Sequence, residues 1–242
     1  MRVGSPAAYG RALVFSLWAC CGHALAGDGP VRPEFIAPKH RMFVFSGVDV
    51  GRDSAFGWTG VEGAPFGRLE EDGLRIRVSG GKGRYRYRTA SEKNGSDVAS
   101  GELLAGFHRK YANSGVTLYV GPQIEHQRLT EHDRDGTEFG LKAALELYAR
   151  LDPLRLVNAS ASASTVKRAY HARAALLREI SPALAIGVEA AVYGDARYVE
   201  PRGGLFVSTT KGNSVLAISV GVLTNSDKGK GAFVTLSLYT PY

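Results

Sequence analysis

The last strand-like segment of the chain alternates strictly between two kinds of side chain. Ala232, Val234, Leu236 and Leu238 alternate with Phe233, Thr235, Ser237 and Tyr239, and the sequence ends at Tyr242. A period of two predicts a β-strand with one apolar face. Bacterial outer-membrane β-barrels use such a strand, with a terminal aromatic residue, as a signal for insertion, and Leu236, Leu238 and Tyr242 would supply that signal here. A soluble β-sandwich can end in the same way, so the other strands must distinguish the two folds.

Strand-like runs fill almost the whole chain after residue 41. Each spans about 10–15 residues, the length of a tilted strand that crosses a bilayer. The twelve runs are 42–51, 54–64, 73–88, 98–111, 115–128, 137–150, 154–165, 168–179, 183–193, 197–209, 214–224 and 231–242. We predict an all-β fold, a single antiparallel up-and-down transmembrane β-barrel of about 12 strands over residues 42–242. Both termini would then lie in the periplasm; a count of ten or fourteen strands stays open.

The first 26 residues have the three parts of a secretory signal peptide. Arg2 and Arg11 form a basic start, residues 12–21 are apolar, and residues 24–26 form a small-x-small cleavage site. Residues 27–41 contain three prolines and show no period, so we predict a periplasmic N-terminal tail. The two cysteines, Cys20 and Cys21, lie within the signal peptide, so the mature chain would have no disulfide bond.

The alternation also separates lipid-facing from lumen-facing positions. A soluble barrel buries its apolar face, whereas a transmembrane barrel turns that face to lipid and keeps polar groups inside. The polar faces of this chain carry small residues and mid-strand charges of both signs, which favours a narrow, partly wet lumen. We therefore expect lipid contact from Leu141, Leu145, Ile186, Val188, Ile218, Val220, Val234 and Leu236.

The third strand carries the richest charged patch. Arg75 and Arg77 face away from the apolar side of the strand, but past Gly80-Gly81 the basic residues take the other parity. A β-bulge at the double glycine would turn all of them to one side. The candidates for the lumen lining are Arg75, Arg77, Arg84, Arg86, Glu102, Lys142, Glu146, Tyr148 and Glu189. Two interpretations stay open: a basic ladder that guides polar or anionic solutes, or structural ion pairs with lumenal carboxylates.

Charge and motifs argue against several classes of function. The formal net charge is +7, but charges of both signs are interspersed, which argues against nucleic-acid binding. The sequence has no Gly-x-Ser-x-Gly, His-Glu-x-x-His or phosphate-loop motif. We expect no catalytic residue, no metal and no cofactor, and we expect outer-membrane lipid and lipopolysaccharide as partners. A Ser/His pair on the lipid-facing rim, as in outer-membrane lipid hydrolases, stays open.

Several segments resemble the cellulose biosynthesis protein BcsS family. They are residues 45–58, 64–69, 83–86, 100–102 and 118–121 and the C-terminal stretch 226–242. The resemblance covers nearly all of the mature chain. It implies a small integral barrel in the bacterial outer membrane that accompanies cellulose synthesis. It brings no catalytic residues that could be carried over to this chain, and it leaves the molecular role open. It also implies a cellulose chain and other cellulose-secretion components as partners.

More than one function is open for such a barrel. A non-enzymatic barrel would assist biosynthesis or secretion of the β-glucan, as a narrow pore or as an assembly factor. A neutral glucan prefers aromatic faces, which Trp58, Tyr119, Tyr148 and Tyr239 would offer if they face inward. The alternatives are a rim-located lipid hydrolase or deacylase and a small oligosaccharide porin.

Overall fold

The computed structural model describes residues 40–88, 93–129, 136–196, 198–226 and 229–242. The predicted signal peptide, residues 1–26, and all of the predicted tail except His40 and Arg41 lie outside these ranges. None of the described residues belongs to a helix that is long and apolar enough to cross a membrane.

Twelve antiparallel strands form a closed barrel in the described part of the chain. They are β1 (Met42–Val50), β2 (Ser54–Gly63), β3 (Gly73–Arg88), β4 (Lys93–Lys110), β5 (Ser114–Leu129), β6 (Gly136–Arg150), β7 (Arg155–Ser164), β8 (Tyr170–Ser181), β9 (Leu184–Gly194), β10 (Val199–Lys211), β11 (Ser214–Asn225) and β12 (Gly229–Pro241). Each strand pairs with its neighbours in sequence, and β1 closes the barrel on β12. The predicted up-and-down barrel of twelve strands is confirmed. The strand bounds differ most from the predicted ones at β4, which begins at Lys93 instead of residue 98.

The outer surface carries a belt of apolar side chains. All eight residues expected to contact lipid are exposed there, together with Leu118, Val120, Leu205 and Val222. The alternate positions point inward and are buried, Lys142, Glu146 and Glu189 among them. An apolar surface of this extent is unfavourable in water. The belt therefore indicates a barrel that is surrounded by lipid.

The double glycine Gly80-Gly81 does not form the predicted β-bulge. β3 pairs with β2 and with β4 without any register shift. A Cβ atom on Gly81 would lie 2.5 Å from the Phe56 ring, so this glycine leaves room for an inward aromatic side chain on β2. Because the parity of β3 is kept, Arg84 and Arg86 are exposed on the outer surface. The prediction that these two arginines line the lumen is wrong.

The two ends of the barrel differ in their connections. The first residues of β1 and the last residues of β12 lie at one end, which is the periplasmic end in bacterial barrels. The connections 111–113, 151–154, 182–183 and 212–213 at this end are short, whereas residues 64–72 form a longer loop. At the opposite end, a 3₁₀ helix (Val166–Arg168) lies in the connection from β7 to β8.

Candidate functional site

An apolar layer fills the barrel near its periplasmic end. The inward side chains in this layer are Phe43, Phe45, Ala64, Leu69, Leu156, Ala175, Leu177, Ala185, Phe206, Val215, Ala217 and Tyr239, and Trp58 packs against them. Ten of them lie on β1 and β7–β12, which are on opposite sides of the barrel, and Ala64 and Leu69 come from the 64–72 loop, so the layer extends across the barrel. Since the ten strand residues occupy lumen-facing positions and the two loop residues pack against them, the lumen at this level is a packed core.

The 64–72 loop covers the same end and is held by Arg75. The Arg75 side chain is fully buried and donates hydrogen bonds to the carbonyl oxygens of Arg68, Leu69 and Glu71 at 3.1, 2.8 and 2.5 Å. The Leu69 backbone N–H donates to the His40 carbonyl at 3.0 Å, and the Leu69 side chain enters the apolar layer. Arg75 was a candidate for the lumen lining, and its guanidinium is occupied in closing the loop.

Ion pairs occupy the interior on the β2–β6 side of the barrel. Arg77 Nη2 lies 2.7 Å from Glu62 Oε2 and 2.6 Å from Glu146 Oε1. The same guanidinium stacks on the Tyr119 ring, with 4.2 Å between its carbon and the ring centroid. Lys142 Nζ lies 2.9 Å from Glu102 Oε2. The predicted candidates are brought together in pairs of opposite charge, which matches the structural interpretation of the basic ladder.

A second group of ion pairs lies on the β8–β12 side. Arg173 is bound to Glu189, which also accepts a hydrogen bond from Ser219 Oγ at 2.9 Å. Arg202 lies 2.8 Å from Asp49 and 2.7 Å from Glu200. Sequence reasoning missed these residues apart from Glu189. Their parity opposite the apolar face of each strand was a signal that could have identified them.

A small polar cavity lies between these ion pairs and the apolar layer. It is lined by Asp49, Trp58, Ser160, His171, Arg173, Glu189, Tyr193, Thr235, Ser237 and Tyr239. About 40 Å³ of it is open to the centres of water molecules. One water needs roughly 10–15 Å³ on this measure, so the cavity has room for a few waters and is too small for a sugar ring.

The four aromatic residues predicted to contact glucan all lie on inward positions but in different surroundings. Trp58 and Tyr239 line the cavity. Tyr119 is fully buried under Arg77, and Tyr148 stacks beside His108 with 6.3 Å between ring centroids. No group of three or more His, Cys, Asp or Glu side chains in the described ranges could hold a metal ion.

At the far end of the barrel, the 3₁₀ helix packs against β5, β6 and β7. Val166 of the 3₁₀ helix is buried, and Lys167 Nζ donates to Glu125 and Gln127. Of the predicted insertion signal, Leu236 and Leu238 are exposed in the outer apolar belt, and Tyr242 is exposed beside the strand end. Their role in insertion stays a prediction.

A porin, a hydrocarbon channel and an autotransporter domain share this fold. The KdgM porin is similar at a TM-score of 0.50 and 9% identity, over 83% of this chain and 99% of the porin. The TodX deltaS2S3 mutant, a monoaromatic hydrocarbon channel, has a TM-score of 0.51 at 6% identity, over 85% of this chain and 91% of its own. The translocator domain of the autotransporter NalP from Neisseria meningitidis has a TM-score of 0.51 at 12% identity, over 84% and 88%. At these identities the likeness shows the fold and nothing further.

The family relationship comes from sequence. No functionally curated protein matches this chain. The profile of a family described as cellulose biosynthesis protein BcsS matches residues 43–242, from the first strand to the last residue. The match confirms the resemblance seen in the sequence and suggests a role in cellulose biosynthesis. With its closed barrel and apolar outer belt, this chain is an integral outer-membrane protein and belongs to the cellulose biosynthesis protein BcsS family.

Proposed function

We propose that this protein assists cellulose secretion as a closed, non-enzymatic barrel that helps to assemble the secretion components in the outer membrane. In this proposal the glucan chain does not pass through the lumen. The observation that carries the proposal is the filled interior. The apolar layer around Phe45 and Phe206 extends across the barrel, and the loop held by Arg75 covers it.

The electrostatics of the interior support the same function. A pore that selects by charge needs fixed charges that face its solute. Here Arg77, Lys142 and Arg202 each lie within hydrogen-bond distance of a carboxylate, at 2.7, 2.9 and 2.8 Å. Cations paired in this way stabilise or position strands rather than attract anions from solution.

The rim-hydrolase alternative has one observation in its favour. His126 Nδ1 lies 2.9 Å from Thr137 Oγ1, and both side chains are exposed on the outer surface. A hydroxyl within hydrogen-bond distance of a histidine is the arrangement of a nucleophile and its general base. Because the threonine hydroxyl is secondary and more hindered than that of serine, we prefer the non-enzymatic function, and the deletion experiment below distinguishes the two.

The first test is conductance. We expect the purified protein to leave planar bilayers without steady channels, because the apolar layer and the 64–72 loop block the lumen. KdgM porin in the same bilayers provides the open control. Steady channels of porin size that cello-oligosaccharides block would contradict the proposal and support a glucan pore. Channels blocked only by acidic oligosaccharides would support a small porin.

The second test is genetic. Deletion of the gene is expected to reduce or disorganise extracellular cellulose, while the acyl chains of lipid A and phospholipids stay unchanged by mass spectrometry. Expression of the wild-type chain in the deletion strain should restore the cellulose. Normal cellulose together with altered acyl chains would reject the proposal in favour of the rim hydrolase, and Thr137→Val should then reproduce the lipid change.

A further inference from the structure

A basic cluster lies on the outer surface at the end of the barrel that is remote from the termini. We define it as Lys82, Arg84 and Arg86 on β3 and Arg128 on β5, all of which are exposed. The three β3 residues continue the outward face that carries Ile76 and Val78 nearer the periplasmic end. These cations therefore point away from the lumen, towards the surrounding lipid.

Within the described part of β3–β5, strand register places the cluster around the carboxylate of Asp97. Arg84 is opposite Asp97 on β4, and Asp97 is opposite Arg128 on β5. Arg84 Nε donates to Asp97 Oδ1 at 2.7 Å and Nη2 donates to Oδ2 at 3.3 Å. Neighbouring strands are about 4.8 Å apart, so the Arg84 and Arg128 backbones are separated by roughly 10 Å. At this end of β3–β5, the described outward residues carry four cations and this one carboxylate.

The cluster also lies directly beyond the apolar belt. On β5 the outward residues Leu118, Val120 and Ile124 are apolar and exposed, and Arg128 follows two outward positions after Ile124. At about 3.3 Å per residue, four residues along a tilted strand correspond to roughly 10 Å of height. Arg128 therefore lies at the level of lipid headgroups when the belt occupies the hydrocarbon.

We propose that this basic cluster binds a phosphate group of an outer-leaflet lipid, the phosphorylated disaccharide of lipid A. Arginine guanidinium groups present paired N–H donors that match phosphate oxygens. Asp97 holds the Arg84 guanidinium in place, and the four cations of the cluster outnumber this carboxylate. The acyl chains of the same lipid would lie along Val78, Leu103 and Ile124, which are exposed on β3, β4 and β5.

The position of the cluster favours a lipid over a soluble anion. A free phosphate or an acidic polysaccharide would make no contact with the apolar residues Val78, Leu103 and Ile124 on the periplasmic side of the arginines. A lipid phosphate is already confined to this height, and its acyl chains contact these apolar residues at the same time. The basic cluster and the apolar residues below it would therefore both bind the same lipid molecule.

The test measures lipid binding by the folded, detergent-solubilised protein. Native mass spectrometry would count bound molecules of diphosphoryl lipid A, dephosphorylated lipid A and inorganic phosphate. The test variant is Lys82→Ser/Arg84→Ser/Arg128→Ser, and the control is Arg155→Ser/Arg178→Ser, which removes two exposed arginines that face each other at the periplasmic rim. Unchanged gel mobility of the unheated protein would show that both variants fold.

We expect the triple variant to bind diphosphoryl lipid A about tenfold or more weakly, because charge-assisted hydrogen bonds to phosphate are lost, and the control to bind as wild type does. Dephosphorylated lipid A should bind the wild type as weakly as the diphosphoryl lipid binds the triple variant. Equal loss in the control, no loss in the triple variant, or equal binding of the dephosphorylated lipid would overturn the proposal. Displacement of the lipid by inorganic phosphate at matching concentration would reject the lipid as the ligand.

Discussion

Replacement of Arg77 by leucine is expected to lower the free energy of unfolding by about 3–5 kcal/mol. Arg77 bridges two carboxylates, with 2.7 Å to Glu62 and 2.6 Å to Glu146. The Arg77 and Glu62 side chains are only 1% and 0% exposed. Without the guanidinium, both carboxylates would stay close together in a confined site without a cation, which is the costly way to break a buried ion pair. Urea unfolding in detergent micelles, followed by gel mobility, measures the change.

The matched control is Arg84→Leu on the same strand. Arg84 pairs with Asp97 at 2.7 Å, but these side chains are 69% and 41% exposed. Exposed ion pairs contribute roughly 0–1 kcal/mol, so the control should unfold almost as wild type does. If Arg77→Leu lowered the free energy of unfolding as little as Arg84→Leu does, Arg77 would lie in a wet channel. In that case Arg77→Leu would instead weaken anion selectivity in a conducting barrel.

The second large effect concerns the outer surface. Val220→Lys is expected to destabilise the barrel in a bilayer by about 2–4 kcal/mol, the cost of a lysine on the lipid side at the midplane. Val220 is exposed and lies near the middle of β11, between the outward residues Ile218 and Val222. The folded fraction after insertion into lipid vesicles, measured against urea concentration, gives this change.

Thr224→Lys provides the control on the same strand and face. Thr224 is exposed near the end of β11, where a lysine reaches the headgroups at a cost of roughly 0–1 kcal/mol. The depth dependence is what distinguishes lipid from water around the belt. If both lysines were tolerated equally, or if Thr224→Lys were the more harmful, the outer surface would not be in a bilayer.

The strands and the faces of the barrel could be read from sequence. In β11 and β12 the apolar residues alternate with polar or small residues, and the structure exposes Val220 and Val234 while it buries Ser219 and Ser237. Alternation is a local property, because neighbouring Cβ atoms of a strand point to opposite sides whatever the strand packs against. The even strand count and the closing of β12 on β1 follow from the same pattern together with the turns between the runs.

The same local rule failed where the inference relied on glycine. A double glycine in a strand indicates either a bulge or a close approach by a neighbouring group. The sequence of β3 cannot distinguish these two, and only the Phe56 ring beside Gly81 decides for the second. Arg84 and Arg86 therefore lie on the lipid-facing rim and not in the lumen, where they were predicted.

The state of the interior was decided by tertiary structure. Arg77 meets Glu146 across 69 positions of sequence, and Arg202 meets Asp49 across 153. No local period specifies such pairs, because they depend on the closed barrel bringing distant strands face to face. The 64–72 loop is a similar case, since Leu69 belongs to a core only through the cluster that also contains Phe43, Leu177 and Phe206 from distant strands. Sequence by itself determined a membrane barrel with polar groups inside; whether those groups line an open path or pair across a filled lumen depended on contacts between residues far apart in the chain.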